Sequence, residues 1–190
     1  MNILYMTVTE KIGGAERVLL NLAGHLFPGE CRNFLITQDE GPLTEEFSKI
    51  NDSRVFVLKL PAWRKLKNIF RRNHAVRQIS RIVKEHNIDL IYANTYRLNP
   101  YALKVSSLCK IRCLTHIHDI IKPKHFRHFL LHKSKYLVVP SKYVSDTCLR
   151  GCTAKIFVLH NGIEVDKTAS VEKGKFRQEF NILEPVQLVT

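Results

Sequence analysis

Short apolar runs alternate with longer amphipathic segments along the chain, and this alternation constrains the fold more than any other feature. Seven runs are predicted as strands, at residues 2–8, 32–37, 54–60, 88–93, 112–116, 136–139 and 155–159. Apolar residues at helical spacing predict helices at 15–27, 43–50, 64–86, 100–109, 124–133 and 142–150. Strands that are apolar nearly throughout need cover on both faces, which is typical of parallel sheets. We therefore predict a doubly wound, mainly parallel, Rossmann-like α/β domain.

The pattern changes after Gly162. Residues 164–175 are polar and charged, as in a connector, and residues 186–190 are apolar enough for a new strand. No helical segment follows that strand. We therefore predict a domain at residues 1–165, and interpret residues 166–190 as an interdomain linker and the first strand of a second domain that is missing.

Positive charge is concentrated in one part of this basic chain. The formal net charge is +13, and residues 61–135 hold 17 Lys and Arg against three acids, a net charge of +14. Such a concentration favours nucleic acid, anionic lipid headgroups or acidic glycans, with a solvated charged surface as the alternative. Residues 64–84 carry eight bases and no acid, so we expect contact with an anionic membrane surface. Nucleic acid is disfavoured because no known nucleic-acid-binding module has this order of elements.

Cysteine usage and hydropathy exclude other classes. No apolar run reaches the ~20 residues of a membrane span, and we expect no secretory signal. Five cysteines, an odd number, do not indicate a disulfide framework, so a cytoplasmic protein is expected. The C-x3-C pairs lack the close spacing of a zinc knuckle, and we interpret them as small buried apolar residues. No metal site is predicted.

Small and polar residues follow most of the predicted strands. Ligands of open α/β sheets bind at the carboxyl ends of the strands, near the reversal of strand order. Gly13 and Gly14 enter the first helix, where a backbone free to adopt positive φ can approach an anion closely; a tight turn is the alternative. Their spacing matches neither a dinucleotide-binding fingerprint nor a P-loop. The later strands are followed by Asn94, His118, Asp119, Ser141, Asn161 and Gly162.

His118 and Asp119 are the main candidates for chemistry. Imidazole exchanges a proton near neutral pH, and a neighbouring carboxylate can orient a ligand hydroxyl. The alternative is a histidine that ends a strand and an aspartate that caps the next helix. Lys122 and Lys124 come directly afterwards and suit an acidic or phosphorylated acceptor.

Five motifs occur in order along the chain: GGAER at 13–17, DLIYAN at 89–94, HD at 118–119, VPS at 139–141 and VLHNGI at 158–163. With these motifs the chain resembles the amino-terminal domain of family-4 glycosyltransferases of the GT-B fold. That family elongates bacterial surface polysaccharides and glycolipids. The resemblance extends from residue 2 to about residue 165.

The resemblance implies two Rossmann-like domains that face a cleft. The first domain would bind a glycan or lipid-linked acceptor. The second domain would bind the nucleotide-sugar donor and would carry paired glutamates spaced E-x7-E. Gly13 and Gly14 would lie near the donor phosphates, His118 near the transferred sugar, and Asn161 and Gly162 at the turn into the linker. No cofactor is implied beyond the nucleotide sugar as co-substrate, and transfer would retain the anomeric configuration.

We therefore predict the acceptor-binding domain of a hexosyltransferase, inactive until a donor-binding domain is supplied in cis or in trans. The expected location is the cytoplasm, including the inner face of the cell membrane. Asn94 and Ser141 are secondary candidates for the cleft. The competing hypothesis is a non-catalytic α/β module that binds an anionic ligand or partner.

Overall fold

A computed structural model describes residues 1–25, 30–64 and 68–162. All seven strands lie in one sheet, and every neighbouring pair is parallel. The strands are β1 (Asn2–Met6), β2 (Arg32–Thr37), β3 (Ser53–Val57), β4 (Leu90–Ala93), β5 (Arg112–His116), β6 (Tyr136–Val139) and β7 (Lys155–Val158). Their order across the sheet is β3-β2-β1-β4-β5-β6-β7.

Helices connect the strands in the predicted alternation. They are α1 (Gly14–His25), α2 (Pro42–Ser48), α3 (Ile69–Glu85), α4 (Asn99–Cys109), α5 (Pro123–His128) and α6 (Lys142–Cys148), with 3₁₀ turns at Tyr96–Leu98 and Leu131–Lys133. No helix in the described ranges is long and apolar enough to cross a membrane.

Two apolar cores lie on opposite faces of the sheet, because successive strand residues point to opposite sides. On β1, Leu4 and Met6 pack in one core with the buried face of α3 and with α4. Ile3 and Tyr5 pack in the other core, with α1 and α2. The prediction of a doubly wound, Rossmann-like sheet is therefore confirmed.

The order of the strands reverses between β1 and β4. The chain first builds outward from β1 to β2 and β3, then returns to place β4 on the other side of β1. Met6 pairs with Ala93, and the next backbone amide, that of Asn94, donates to the Met6 carbonyl at 2.9 Å. The segments that follow β1 and β4 consequently leave the sheet side by side, where ligands bind in open α/β sheets.

The predicted helix 64–86 differs from the observed one at its start. It begins at Ile69, so Trp63 and Arg64 precede it. Burial along α3 begins only at Arg72, and the side chains of Ile69 and Phe70 are 48% and 84% exposed. The helical spacing of Ile69 and Phe70 predicts that both belong to the packed face of this helix, and that prediction is wrong. The first turn of α3 lies ahead of the part of the helix that covers the sheet.

The predicted helix 124–133 is in fact two short pieces. Helix α5 ends at His128, and Leu130 adopts a left-handed conformation with φ of 56° before the 3₁₀ turn. A non-glycine residue in this region interrupts a right-handed helix. The predicted linker and final strand, residues 166–190, lie outside the described residues.

A buried polar cluster joins α4 to the chain segments around it. The Asn99 side chain donates to the Phe129 carbonyl at 2.8 Å and accepts from the hydroxyls of Thr115 at 2.8 Å and Ser134 at 2.9 Å. All three polar side chains are buried. Asn99 thus holds β5, α4 and the segment before β6 together.

Replacement of Asn99 by Leu should destabilise the fold strongly. It leaves one buried carbonyl and two buried hydroxyls without their partner, at an expected cost of roughly 3 kcal/mol or more in the free energy of unfolding. Urea unfolding followed by circular dichroism measures this. Asn73→Leu is the matched control, because within the described ranges the Asn73 side chain accepts only from the exposed Lys104 ammonium group. It should change stability by less than about 0.5 kcal/mol. Equal effects of the two substitutions would contradict the role of the cluster.

Candidate active site at the carboxyl edge of the sheet

Asn94 connects three elements where the strand order reverses. Its side chain is 1% exposed and donates from Nδ2 to the Ala15 carbonyl in the first turn of α1 at 3.1 Å. Its Oδ1 lies 3.0 Å from Nε2 of His118, just beyond the end of β5. Two of the predicted site residues, Asn94 and His118, are therefore in direct contact.

The Asn94 contact defines the tautomer of His118. Since Nδ2 of Asn94 is committed to a carbonyl, Oδ1 is the atom that faces His118, and an amide oxygen can only accept. His118 therefore carries its proton on Nε2. Burial lowers the pKa of His118, while the charge of Asp119 opposes that effect. At neutral pH the ring is uncharged, and its Nδ1 lone pair can accept a hydrogen bond from a ligand hydroxyl.

Asp119 is exposed and does not cap the next helix. The residue that precedes α5 is Lys122, and no side chain caps that helix. The interpretation of Asp119 as a helix cap is therefore wrong. Its carboxylate is left at the mouth of the site next to His118.

Glu16 closes the glycine turn, a contact that the sequence analysis missed. Its buried carboxylate accepts from the Thr7 hydroxyl at 3.1 Å and from the Gly13 amide at 3.3 Å. A Cβ on Gly13 would approach Oε2 of Glu16 to 3.1 Å, whereas one on Gly14 would meet nothing within 4 Å.

The glycine turn does not use the positive φ that glycine allows. Among the described residues, Gly151 is the glycine with positive φ. Gly13 is suited to its place because the Glu16 carboxylate passes close to it. Gly14 is exposed and opens α1 toward solvent, so the amino end of that helix is accessible to an anion.

His116 supports the ring of His118 from inside the protein. The two ring centroids are 3.9 Å apart, and Nδ1 of His116 is hydrogen-bonded to the Tyr92 hydroxyl. Burial, and secondly the proximity of His118, lowers the pKa of His116 to about 3. Its buried Nε2 has no hydrogen-bond partner among the described residues. His116 is thus an uncharged platform under His118.

A cavity of about 390 Å³ opens along the same edge of the sheet, and we call it the aromatic pocket. Its lining comes from segments that follow β1, β2, β3, β4 and β5. The rings that line it belong to Trp63, Tyr96, Tyr101, His125 and Phe129. This pocket is not apparent from the sequence, because the helical spacing places Arg64, which also lines it, in a helix. The available signal was that Trp63 and Tyr96 each follow a strand within a few residues of its end.

The aromatic pocket is basic as well as aromatic. The exposed guanidinium groups of Arg64 and Arg97 lie 5.9 Å from the ring centroids of Phe129 and Tyr96, respectively. Within the described ranges, none of the residues that line the pocket is acidic. Ring faces suit the apolar faces of sugars, and guanidinium groups suit anions, so the pocket fits a sugar ligand with negative charge.

The other predicted site residues are placed less centrally. Ser141 caps α6 by accepting from the Val144 amide at 3.3 Å, which gives its hydroxyl a structural role. Lys122 and Lys124 are exposed around the start of α5. Asn161 and Gly162 are exposed too, and the Gly162 carbonyl accepts from the Asn21 side chain at 3.5 Å.

The cysteines fit the predicted apolar role. All five are free; Cys31 is buried and the other four are half-buried. Cys148 and Cys152 pack against the core around β6, and the sulfur of Cys148 accepts from the Ile121 amide at 3.1 Å. Within the described ranges, no group of three His, Cys, Asp or Glu side chains is placed to hold a metal ion.

A family model matches most of the chain. Residues 12–167, most of the chain, match the model of Glycosyltransferase Family 4. The chain belongs to that family. The family match includes both the glycine turn and the segment that carries Asn94 and His118.

Curated and solved relatives are glycosyltransferases as well. The chain is 28% identical over 113 residues to the O-antigen biosynthesis glycosyltransferase WbnH of Escherichia coli. The aligned residues cover 60% of this chain and 30% of WbnH. A solved glycosyltransferase from Rickettsia africae superposes with a TM-score of 0.74 at 20% identity, over 97% of this chain and 50% of that one. HepE from Anabaena, solved with UDP, superposes with a TM-score of 0.71 at 19% identity, over 95% of this chain and 50% of HepE. These likenesses identify the domain as the amino-terminal half of a GT-B fold.

The chain spans about half the length of the two solved proteins, and its 113 aligned residues cover 30% of WbnH. Both solved proteins are thus about twice as long as the part that this domain matches.

The low pKa of His116 predicts a loss of stability in acid. An unfolded histidine has a pKa near 6.5, so the unfolded chain binds more protons than the folded one as the pH falls from about 6.5 towards about 3. The free energy of unfolding should fall over that window. His116→Phe removes the titrating group, so urea unfolding between pH 7.5 and 4.5 should show a shallower fall than in the unmodified protein.

The matched control is His74→Gln, which replaces an exposed histidine of α3. It should leave the pH dependence of the unfolding free energy unchanged. An unchanged slope in His116→Phe would show that His116 is not the group that titrates.

Proposed function

We propose that this domain binds the acceptor in a sugar transfer from a nucleotide sugar to a glycan or lipid-linked acceptor, in the synthesis of a cell-surface polysaccharide or glycolipid. Family membership supports glycosyl transfer, and the likeness to WbnH supports the surface-polysaccharide context. The observation that carries the proposal is the placement of an uncharged His118, oriented by Asn94, at the strand reversal.

In the proposed reaction, the bond between the anomeric carbon and the diphosphate oxygen of the donor breaks. The acceptor oxygen forms the new bond to that carbon on the same face, and the acceptor proton leaves with the phosphate. His118 accepts a hydrogen bond at Nδ1 from a hydroxyl of the transferred sugar, and Asp119 orients a hydroxyl at the mouth of the site. These two residues position the sugar, while stabilisation of the leaving diphosphate is shared with the second domain.

The glycine turn suits the donor phosphates in this scheme. Gly14 is exposed and begins a helix of 12 residues, whose amino end carries partial positive charge. The Gly13 amide is already bonded to Glu16, so Glu16 shapes the turn rather than binding the donor. The donor-binding domain is then supplied either as part of the same polypeptide or as a separate one. We propose that residues 1–190 alone do not transfer sugar.

A fusion to the second half of the Rickettsia africae glycosyltransferase tests the proposal. The unmodified fusion should transfer labelled sugar from a nucleotide-sugar panel to an acceptor panel, and residues 1–190 alone should not. His118→Ala should lower the turnover rate about 100-fold, because it removes the proposed contact with the transferred sugar. Radiolabel incorporation measures the transfer.

Ser107→Ala, a change at an exposed position of α4, is the matched control and should retain full activity. Full activity of His118→Ala in the fusion would overturn the assignment of His118. Transfer by residues 1–190 alone would overturn the requirement for a second domain. A fusion that binds anionic ligands but never transfers sugar would favour the competing hypothesis of a non-catalytic binding module.

The start of α3 supports a second proposal, peripheral contact with the inner face of the cell membrane. Phe70 and Ile69 are exposed there, the exposed Arg71 follows Phe70 directly, and Arg64, five positions before Ile69, is exposed as well. Exposed apolar side chains among bases are typical of surfaces that insert between anionic headgroups. A lipid-linked acceptor would then reach the aromatic pocket from the membrane.

Vesicle sedimentation tests the membrane proposal. The protein should bind vesicles of phosphatidylglycerol and phosphatidylcholine more tightly than vesicles of phosphatidylcholine alone. Phe70→Ser should weaken binding to the anionic vesicles about tenfold, because it removes an inserted apolar ring. The control Tyr143→Ser removes a ring that is 68% exposed on α6 and should not change binding. Equal binding to both kinds of vesicle would contradict an electrostatic role.

A further inference from the structure

We infer that the aromatic pocket recognises a sugar that carries a phosphate or diphosphate group, in preference to a neutral sugar. The inference rests on the proposed function, since it names the chemical class of the acceptor that the domain would bind. Three features of the pocket support it: the arrangement of its rings, its unpaired guanidinium groups, and the shortage of hydrogen-bond acceptors in its lining.

The rings form a preorganised wall. Tyr96 and His125 stack at 5.7 Å with an interplanar angle of 24°, and Phe129 meets both of them edge-on at 5.1 and 5.6 Å. A second pair of rings also lines the pocket, where Trp63 contacts Tyr101 edge-on at 5.1 Å. The Tyr101 hydroxyl donates to the Pro61 carbonyl at 2.6 Å and so fixes the segment that leads to Trp63. Such rigid faces can receive the C–H face of a sugar ring at little entropic cost.

The guanidinium groups of Arg64 and Arg97 are available to an anion. Both side chains are exposed, and neither is ion-paired within the described part of the chain. Each lies over a ring of the wall, which limits the directions in which its donors can point. Two guanidinium groups at one pocket match the geometry of phosphate oxygens, which accept several hydrogen bonds at once.

A neutral sugar fits this lining less well. Its hydroxyls must donate as well as accept, and sugar sites commonly supply carboxylates or amide oxygens for that purpose. Among the described residues no carboxylate lines the pocket, and the side chains of Arg64, Arg97 and Trp63 bear donors only. Gln38 offers an amide oxygen, while its amide nitrogen is already bonded to the Val8 carbonyl at 3.0 Å. The lining is therefore rich in donors, as an anion requires.

Positive charge also crowds the mouth of the pocket. Partial desolvation, followed by the charges of Arg64, Lys124, Lys122 and His128, lowers the pKa of His125. Repulsion among like charges is relieved when an anion enters. This gives Lys122 and Lys124 a role around the pocket, apart from any contact with His118.

The experiment uses Trp63 as its probe, since it is the single tryptophan of the chain and lines the pocket. Tryptophan fluorescence of the 190-residue protein is titrated with glucose 1-phosphate, methyl glucoside and inorganic phosphate. We expect a saturable change with glucose 1-phosphate, at a concentration at least about tenfold lower than either of the other two ligands requires.

The decyl diester of glucose 1-phosphate identifies the source of the phosphate. Tighter binding of the diester than of glucose 1-phosphate would assign the pocket to a lipid-linked acceptor. Equal binding of the two compounds would assign the pocket to a soluble sugar phosphate. Both outcomes support recognition of a phosphorylated sugar.

Arg64→Gln and Arg97→Gln should each weaken binding of glucose 1-phosphate about tenfold and leave binding of methyl glucoside unchanged. The matched control is Arg112→Gln, which removes an exposed arginine at the start of β5, at the opposite edge of the sheet. All three arginines are exposed, so the folds should be equally stable, and circular dichroism checks this.

Equal affinity for methyl glucoside and glucose 1-phosphate would overturn the inference, as would equal losses in the control and in the two pocket variants. Affinity for inorganic phosphate equal to that for glucose 1-phosphate would overturn the contribution of the rings and with it the inference. The titration involves no donor and no transfer. A failure here therefore leaves the transfer assay with the fusion protein to decide the proposed function separately.

Discussion

The side chain of Asn94 is the contact on which the candidate site depends. It is buried where β1 and β4 end side by side, and both ends of its amide group are used. One end holds the first turn of α1, and the other orients the ring of His118. The glycine turn and His118 come from segments about 100 residues apart, and this amide joins them into one site. Any ligand that spans the turn and His118 meets a geometry that Asn94 has already set.

Much of the fold could be predicted because burial on both faces makes the strands uniformly apolar. The bounds of β2, β5 and β6 match the predicted ones. The start of α3 could not be predicted in the same way. Ile69 and Phe70 continue the helical spacing of the buried stripe, yet they lie ahead of the sheet, and no local pattern records where a helix first meets its partner. Leu130 likewise bears no sequence signal for its left-handed conformation.

The candidate site was predictable only where a residue directly follows a strand. Asn94 and His118 fall in that class and lie together in the structure, while Ser141 follows a strand as well but caps α6. Glu16 and His116 could not be found, because their contacts arise from the close approach of separate segments. The aromatic pocket belongs to the same category, since five strands contribute to its lining.

Arg72 lies between the exposed start of α3 and the aromatic pocket. Its guanidinium group sits 4.8 Å from the ring centroid of Trp63 and also donates to the Trp63 carbonyl, although the arginine itself belongs to α3. Displacement of the first turn of α3 would therefore be transmitted to one wall of the aromatic pocket through the buried side chain of Arg72. The exposed start of α3 and one wall of the aromatic pocket are thus joined through a single arginine.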